Sequence, residues 1–175
     1  METIAPPVVA VIVTCDPGAW FEETLAAIAA QDYPELSVLV LDAASAVDPT
    51  PRVAAVLPHA YVARLARNDG FGATANEAMA MVQGASMLLF CHDDIAPDPD
   101  VVHVLVEESF RSNAGVVAPK LVSWDDPERL LHVGMAVDKG GAVVDRVEPG
   151  EIDHGQHDAV RDVFLAPGCC TLVRA

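Results

Sequence analysis

Short β-branched apolar runs alternate with amphipathic stretches over the first two thirds of this chain, and that rhythm predicts its elements. Residues 8–14, Val-Val-Ala-Val-Ile-Val-Thr, are a continuous run that reads as a buried strand. Asp16-Pro17-Gly18 breaks it. Phe21, Leu25 and Ile28 then recur on one face, which predicts a helix over residues 20–30, closed off by Tyr33-Pro34. Residues 37–41 predict a second strand ending at Asp42, and Asp48-Pro49 reads as the cap and first-turn proline of a short helix toward Leu57. A third strand over 61–65 leads into the glycine-bearing loop 67–76 and a helix to about Gln83. Residues 87–91 predict a fourth strand and 116–122 a fifth. Between them Asp98-Pro99 opens a helix through Ser112, with Val101, Val104 and Leu105 as its core stripe. Four strand-then-helix repeats with short connections call for an α/β layered fold around a mainly parallel sheet.

Beyond Trp124 the rhythm changes. Residues 131–137 and 142–147 predict strands around the turn Asp138-Lys139-Gly140-Gly141, and the polar stretch 148–162 predicts a surface loop. Apolar character returns at 163–166 and 169–173, split by Pro167-Gly168. An α/β domain that stops directly after such a strand leads us to expect one domain, residues 1–175, taken from a longer parent.

Composition narrows the class. A chain of 175 residues suits one packed domain, and 52% hydrophobic with 5% aromatic content means a core of Val, Leu, Ile and Ala. The net charge of −16, from 26 acids against 10 bases, argues against nucleic acid or an anionic membrane surface as partner. An anionic small molecule would bind only where a metal or backbone N–H groups offset that field. Cys15, Cys91, Cys169 and Cys170 lack C-x-x-C spacing and read as reduced thiols in or near the core of an intracellular protein. Adjacent Cys169 and Cys170 point to opposite faces of a strand, which argues against a shared zinc. The start, Met1-Glu2-Thr3-Ile4-Ala5-Pro6-Pro7, lacks the basic opening of a signal peptide. No apolar run approaches the roughly 20 residues of a membrane-spanning helix.

Candidate chemistry gathers where the predicted strands end, because ligands of open parallel sheets sit beyond the carboxyl ends of the strands. The fourth strand ends in His92-Asp93-Asp94. Two carboxylates and an imidazole at a buried strand tip are costly unless a cation meets them, and a hard divalent metal escorting a diphosphate is the simplest one. The alternative is one aspartate capping the next turn and the other solvated. Alternation places His92 and Asp94 on one face, making Asp94 the better metal ligand; the imidazole tilts the choice toward manganese over magnesium. Asp42 suits a base or ribose contact, or equally a cap on Ser45. Asn68-Asp69-Gly70-Phe71-Gly72 would let backbone amides approach a ligand. Asp153-His154-Gly155-Gln156-His157-Asp158 reads better as a solvated loop than as a second metal site.

In order along nearly the whole chain, these pieces resemble the family 2 glycosyltransferases. Val9-Ala10-Val11-Ile12-Val13-Thr14 is similar to the family's opening strand, and Gln31-Asp32-Tyr33-Pro34 to its "Q-x-Y-P" exit. Val40-Leu41-Asp42-Ala43-Ala44-Ser45 resembles its "V-D-N-x-S" element, and residues 68–76 its "N-x-G-F-G-x-x-x-N" loop. His92-Asp93-Asp94 stands at the D-x-D position, and residues 169–174 are similar to "G-x-x-x-L-[IV]-R". The nearest likeness is to the rhamnosyl- and galactofuranosyl-transferase-like branch.

The resemblance implies a GT-A fold, a Rossmann-like three-layer α/β/α sandwich with an antiparallel strand near the C-terminal part. It implies inverting transfer from a UDP- or dTDP-sugar to a saccharide or lipid-linked acceptor, in cell-envelope polysaccharide synthesis at or near the cytoplasmic face of a membrane. Thr14 and Asp16 would border the nucleobase, and Asp42 would bind base or ribose. Asn68, Gly70 and Asp93 would line the nucleotide pocket, while Asp94, with His92, would hold Mn2+ or Mg2+. His92 departs from the first acid of the D-x-D pattern and Asp16 from its usual Asn. The family's general base falls past the last matched strand, so it is expected beyond Ala175, and these residues alone are expected to bind donor without efficient transfer. A non-catalytic module of the same fold is the alternative. A receiver domain is disfavoured because Leu65-Ala66-Arg67 stands where its phosphorylated aspartate belongs, and a dinucleotide-dependent dehydrogenase because the first loop has a single glycine.

Overall fold

The computed structural model describes residues 5–175, so the signal-peptide reading of the chain start falls mostly on residues outside it. Four strand–helix units come first: β1 (Val8–Thr14), α1 (Phe21–Ala29), β2 (Leu36–Asp42), α2 (Thr50–Val56), β3 (Tyr61–Arg64), α3 (Phe71–Met81), β4 (Met87–Cys91) and α4 (Val101–Ser112). Six short strands follow: β5 (Val116–Val117), β6 (Leu121–Val122), β7 (Leu130–His132), β8 (Met135–Val137), β9 (Val143–Asp145) and β10 (Cys170–Arg174). The main sheet runs β3-β2-β1-β4-β10-β5. Strands β1 to β4 pair in parallel, while β10 lies antiparallel between β4 and β5. The mainly parallel α/β sheet with a late antiparallel strand is the expected architecture.

Alternation along β1 divides the core. Val8, Ala10 and Ile12 face Phe21, Leu25 and Ile28 of α1, Val53 of α2, and Val102, Leu105 and Val106 of α4. Val11 and Val13 face the other way, onto Ala75 and Ala78 of α3. On α4 the buried face is Val102, Leu105, Val106 and Ser109, spaced i, i+3, i+4, i+7. Val104 therefore points outward and is 51% exposed, which corrects the expected stripe.

The family-like Gln31-Asp32-Tyr33-Pro34 segment is a structural clamp. Gln31 Nε2 donates to the Ala27 and Asp98 carbonyls at 3.1 and 2.8 Å, and its Oε1 accepts the Val102 amide at 3.1 Å. That last bond supplies a cap that α4 does not get from its own Asp100. Tyr33 donates its hydroxyl to the Pro6 carbonyl at 2.8 Å.

Elsewhere boundaries moved. Thr50, not Pro49, begins α2; Pro49 is its N-cap residue, and Asp48 Oδ1 accepts the Thr50 amide at 2.9 Å. The expected strand 116–122 is two strands, because Pro119 lacks a ladder donor and the chain leaves the main sheet there. Leu121 and Val122 pair instead with β7. Gly134 likewise divides 131–137. Its φ is +83°, and a side chain there would collide with Val163, so only glycine fits. The hairpin β8–β9 forms around residues 138–141 as expected, while 163–166 contributes only the Met135–Leu165 bridge.

The polar stretch 148–162 is a loop tied down by charge. Lys120 Nζ lies 2.5 Å from Asp153 and 2.6 Å from Asp158, so the Asp153-to-Asp158 cluster grips a lysine. Glu151 accepts bonds from Gln156 Nε2, the Glu148 amide and His157, which hold its carboxyl down at about 2.

Two outcomes follow for this loop. Lys120→Ala should make residues 153–158 the first site of cleavage in limited proteolysis while leaving far-UV circular dichroism unchanged. Because the folded Glu151 value lies below 4.5, docking is favoured above that pH and lost as pH falls toward 2. Amide exchange over residues 148–162, corrected for intrinsic rates, should lose protection across that window.

Candidate functional site

Parallel alignment of β1, β2, β3 and β4 brings four strand ends to one rim. Thr14 closes β1 and is buried; its hydroxyl donates to Asp93 Oδ2 at 2.5 Å, stitching β1 to the tip of β4. Thr24 of α1 adds a second stitch, donating to the Asp93 carbonyl at 3.0 Å and accepting the Ile95 amide at 3.1 Å. Asp93 is thus engaged inward, while His92 and Asp94 keep exposed side chains; β4 ends at Cys91, so the three residues lie in a bend rather than in the expected alternating strand. His92 Nδ1 is 3.9 Å from Asp94 Oδ1, and both side chains are substantially exposed. The Phe71 ring packs against the imidazole with centroids 4.3 Å apart.

Asp16 leaves β1 with φ +49°, donating its amide to Ser45 Oγ at 2.7 Å and accepting the Ala46 amide on Oδ1 at 2.7 Å. Asp42, at the end of β2, is completely buried. Its Oδ1 accepts the Ser45 amide at 3.0 Å and its Oδ2 the Arg64 Nε at 2.6 Å. Both readings of Asp42 thus meet a fact outside them: the cap on Ser45 exists, and an arginine covers the rest. Asn68 Oδ1 accepts the Gly70 amide at 2.9 Å, turning the chain into α3 through Gly70 at φ +88°. No side chain caps α3, so its first amides remain available to an anion.

Four contributors escaped sequence reasoning, Thr24 among them. Arg64 hides at the end of an apolar strand; the signal was a lone base placed beside the strand ending in Asp42. Arg52 of α2 donates to the Pro17 and Gly18 carbonyls at 2.8 Å each and to both Glu22 oxygens, fixing the first loop. Phe71 was read only as part of a loop. Cys15, expected in or near the core, is instead exposed beside Thr14, because it follows the end of β1. Cys91 and Cys170 are buried opposite one another, and their hydrogen bond together with burial pushes the Cys91 thiol well above its ordinary value.

Among the described residues, no three His, Cys, Asp or Glu side chains converge as a self-sufficient metal cluster. His92 and Asp94 do offer two exposed donors on one side of the rim. One carboxylate and one imidazole fit a dication whose other positions are filled by phosphate oxygens and water.

A family model described as glycosyl transferase family 2 matches residues 9–175. The mannosyltransferase PcManGT from Pyrobaculum calidifontis, in complex with GDP-Man and Mn2+, is similar at 26% identity and a TM-score of 0.58, over 71% of this chain and 38% of that one. TarS 1-349 from S. aureus shares the fold at 20% identity and a TM-score of 0.61, over 75% of this chain and 41% of that one. The complex of TarS 1-349 with UDP-GlcNAc aligns at 19% identity and a TM-score of 0.56, over 73% and 40%. This chain therefore spans about two fifths of the length of these neighbours. Comparison with curated proteins finds no match.

Backbone strain marks the same rim. Ala44 sits at φ +63°, a region that costs an L-residue about 1 kcal/mol. Ala44→Gly should raise stability to urea by up to about that amount, less the entropy glycine adds to the unfolded chain. A stability lowered by the full entropic cost of glycine, about 0.4–1 kcal/mol, would show that no strain is stored there.

Proposed function

Because this chain belongs to glycosyl transferase family 2, we propose that its strand-end rim binds the nucleoside diphosphate of a sugar donor for inverting transfer to an acceptor hydroxyl. The observation that carries the reading is the meeting of Thr14, Asp16, Asp42, the Asn68–Gly70 turn and the His92–Asp94 pair at one edge of a parallel sheet. The complex of the similar mannosyltransferase with GDP-Man and Mn2+ supports it.

Each group has a part in this reading. The first loop, held by Arg52 and by the Asp16–Ser45 and Asp16–Ala46 bonds, forms one wall of the base pocket. The turn at Gly70 leaves room for the ligand to approach backbone amides. His92 and Asp94 hold the dication, Mn2+ or Mg2+, with Phe71 fixing the imidazole plane. When bound, the dication neutralises charge that develops on the departing nucleoside diphosphate. Asp93 acts through Thr14, keeping the β4 tip in register with β1. In this proposal residues 1–175 supply the donor side, and the carboxylate that deprotonates the acceptor is assigned to none of them. The resemblance to the rhamnosyl and galactofuranosyl branch makes UDP- and dTDP-sugars the donors to test first. It also suggests cell-envelope saccharide or lipid-linked acceptors at the cytoplasmic face.

Calorimetric titration with UDP, dTDP and GDP should show saturable binding in Mn2+ that EDTA weakens. Asp94→Ala should lower the affinity measured in Mn2+ by roughly tenfold or more, near 1.4 kcal/mol, and leave the metal-free affinity unchanged. Failure of all three nucleotides to bind in Mn2+ would overturn the donor-site reading.

A further inference from the structure

We propose that Trp20 and Trp124 form a platform on which the saccharide of the acceptor stacks, beside the tip that carries His92 and Asp94. The inference rests on the donor-site reading for the role of that saccharide, and adds to it a place where neutral sugar rings bind.

The chain has only two tryptophans, and neither enters its core. They meet each other instead, with ring centroids 4.8 Å apart and planes tilted by 57°, although one opens α1 and the other lies beyond β6. Trp20 is 43% exposed and Trp124 half-buried, so each ring covers part of its partner and the rest faces water. Two adjoining indoles left this open make an apolar patch of the kind that a ligand covers.

Neither element depends on that contact for its place. Phe21, Leu25 and Ile28 seat α1 on the sheet, and Arg52 holds the loop before it through the Pro17 and Gly18 carbonyls. The loop carrying Trp124 is closed by the Ser123 amide on the Arg129 carbonyl at 2.8 Å. It is tied outward by the Leu130 amide on the Glu151 carbonyl at 2.9 Å and the Asp153 amide on the Glu128 carbonyl at 2.6 Å. Backbone already fixed presents both rings, which lowers the ordering cost of binding.

Position decides what would use the platform. The Trp20 carbonyl accepts the Thr24 amide at 3.0 Å, so the two residues are one helical turn apart on the same face of α1. Thr24 is the residue that grips the Asp93 carbonyl and the Ile95 amide. Further along that face Gln31 reaches the Asp98 carbonyl, so the chain after β4 descends beside α1 from Thr24 onward. Trp20 therefore stands at the rim end of this contact, about one turn of helix, or 5 Å, from the tip. An acceptor hydroxyl must come within about 3–3.5 Å of the donor's reacting carbon, which brings the ring bearing it to the neighbourhood of the platform.

The surface also has the right chemistry. Indole faces are electron-rich, and the C–H groups along one face of a sugar ring are weakly positive, so the two attract while excluding water. Planes set at 57° make an angled seat, better matched to a puckered ring than to a flat base. Exposed Asp125, next to Trp124, offers a carboxylate to sugar hydroxyls. A neutral sugar escapes repulsion by the net charge of −16, which an anionic aromatic ligand would meet.

Because both tryptophans belong to the platform, intrinsic tryptophan fluorescence reports on it alone. Methyl glycosides of rhamnose, galactofuranose, mannose and glucose, and disaccharides built from them, would be titrated with and without excess UDP and Mn2+. At least one series should change the emission saturably, the disaccharide binding more tightly than the monosaccharide. Saturation-transfer NMR should mark the C–H protons of one ring face as touching protein. Trp20→Ala and Trp124→Ala, each checked by circular dichroism, should weaken that affinity roughly tenfold by calorimetry, whereas Trp20→Phe should retain most of it. UDP affinity in Mn2+ should be the same in all of these chains. No saturable response to any saccharide in either condition, or equal saccharide affinity in the wild type and both alanine variants, would overturn the platform and leave the donor site standing. A matching loss of UDP affinity in the alanine variants would move the rings into the donor site and overturn the acceptor assignment. If no nucleotide binds the wild type while sugars still bind through both indoles, the donor-site reading and the acceptor role fall, and the sugar site stands.

Discussion

A carboxylate with no exposed surface is among the least tolerable groups in a protein, and Asp42 is one, in a chain with 16 excess negative charges. Removing an ionised carboxylate from water costs several kcal/mol even after relaxation. The cost is met here by Arg64 Nε and the Ser45 amide. Those partners dictate much of the surrounding architecture. The β2–β3 register must set Asp42 opposite Arg64. The turn after β2 must fold back so that the Ser45 amide and carbonyl reach the pair, and Ala44 takes up a left-handed conformation there. Ser45 in turn receives the Asp16 amide, which fixes the first loop. One buried charge thus connects the ends of three strands.

A comparable stitch operates between β1 and β4. Thr14 and Thr24 together hold both the side chain and the carbonyl of Asp93. The inward hold on Asp93 is what leaves His92 and Asp94 facing outward. Structure and chemistry are divided between adjacent residues of one tripeptide, in the bend that follows β4.

The parallel part of the fold was legible because β1, β2 and β4 are apolar runs with Pro or Asp close to their ends, and Phe21, Leu25 and Ile28 repeat at helical spacing in α1. Legibility failed where a backbone property outweighed the pattern. Val116 to Val122 looks like one strand, but Pro119 lacks an N–H; Leu131 to Val137 looks like another, but Gly134 and Val163 require a bend. Val104 fits an apolar stripe read by composition, yet α4 is rotated so that Val102 and Val106 take the core. At the candidate site, acidic residues stood out because charges at strand ends are rare. Their partners did not: Arg64 sits within an apolar strand, and Thr24 and Arg52 lie on helices, with pairings that span 22 to 71 residues of sequence. Such pairings follow from topology, which no local window contains.

The place of β10 in the sheet bears on how the polypeptide is made. This strand pairs with β4 on one side and β5 on the other, so the latter gains its ladder only once residues far downstream have arrived. During synthesis, Met87–Cys91 must wait beside β1 with its second edge bare for the time needed to translate some eighty further codons, several seconds at about 5–20 residues per second. An apolar edge left open for so long is a template for the wrong neighbour. Nascent chains of this protein should accordingly depend on chaperone shielding during that interval, and slow translation through the stretch between α4 and β10 would lengthen the hazard rather than relieve it.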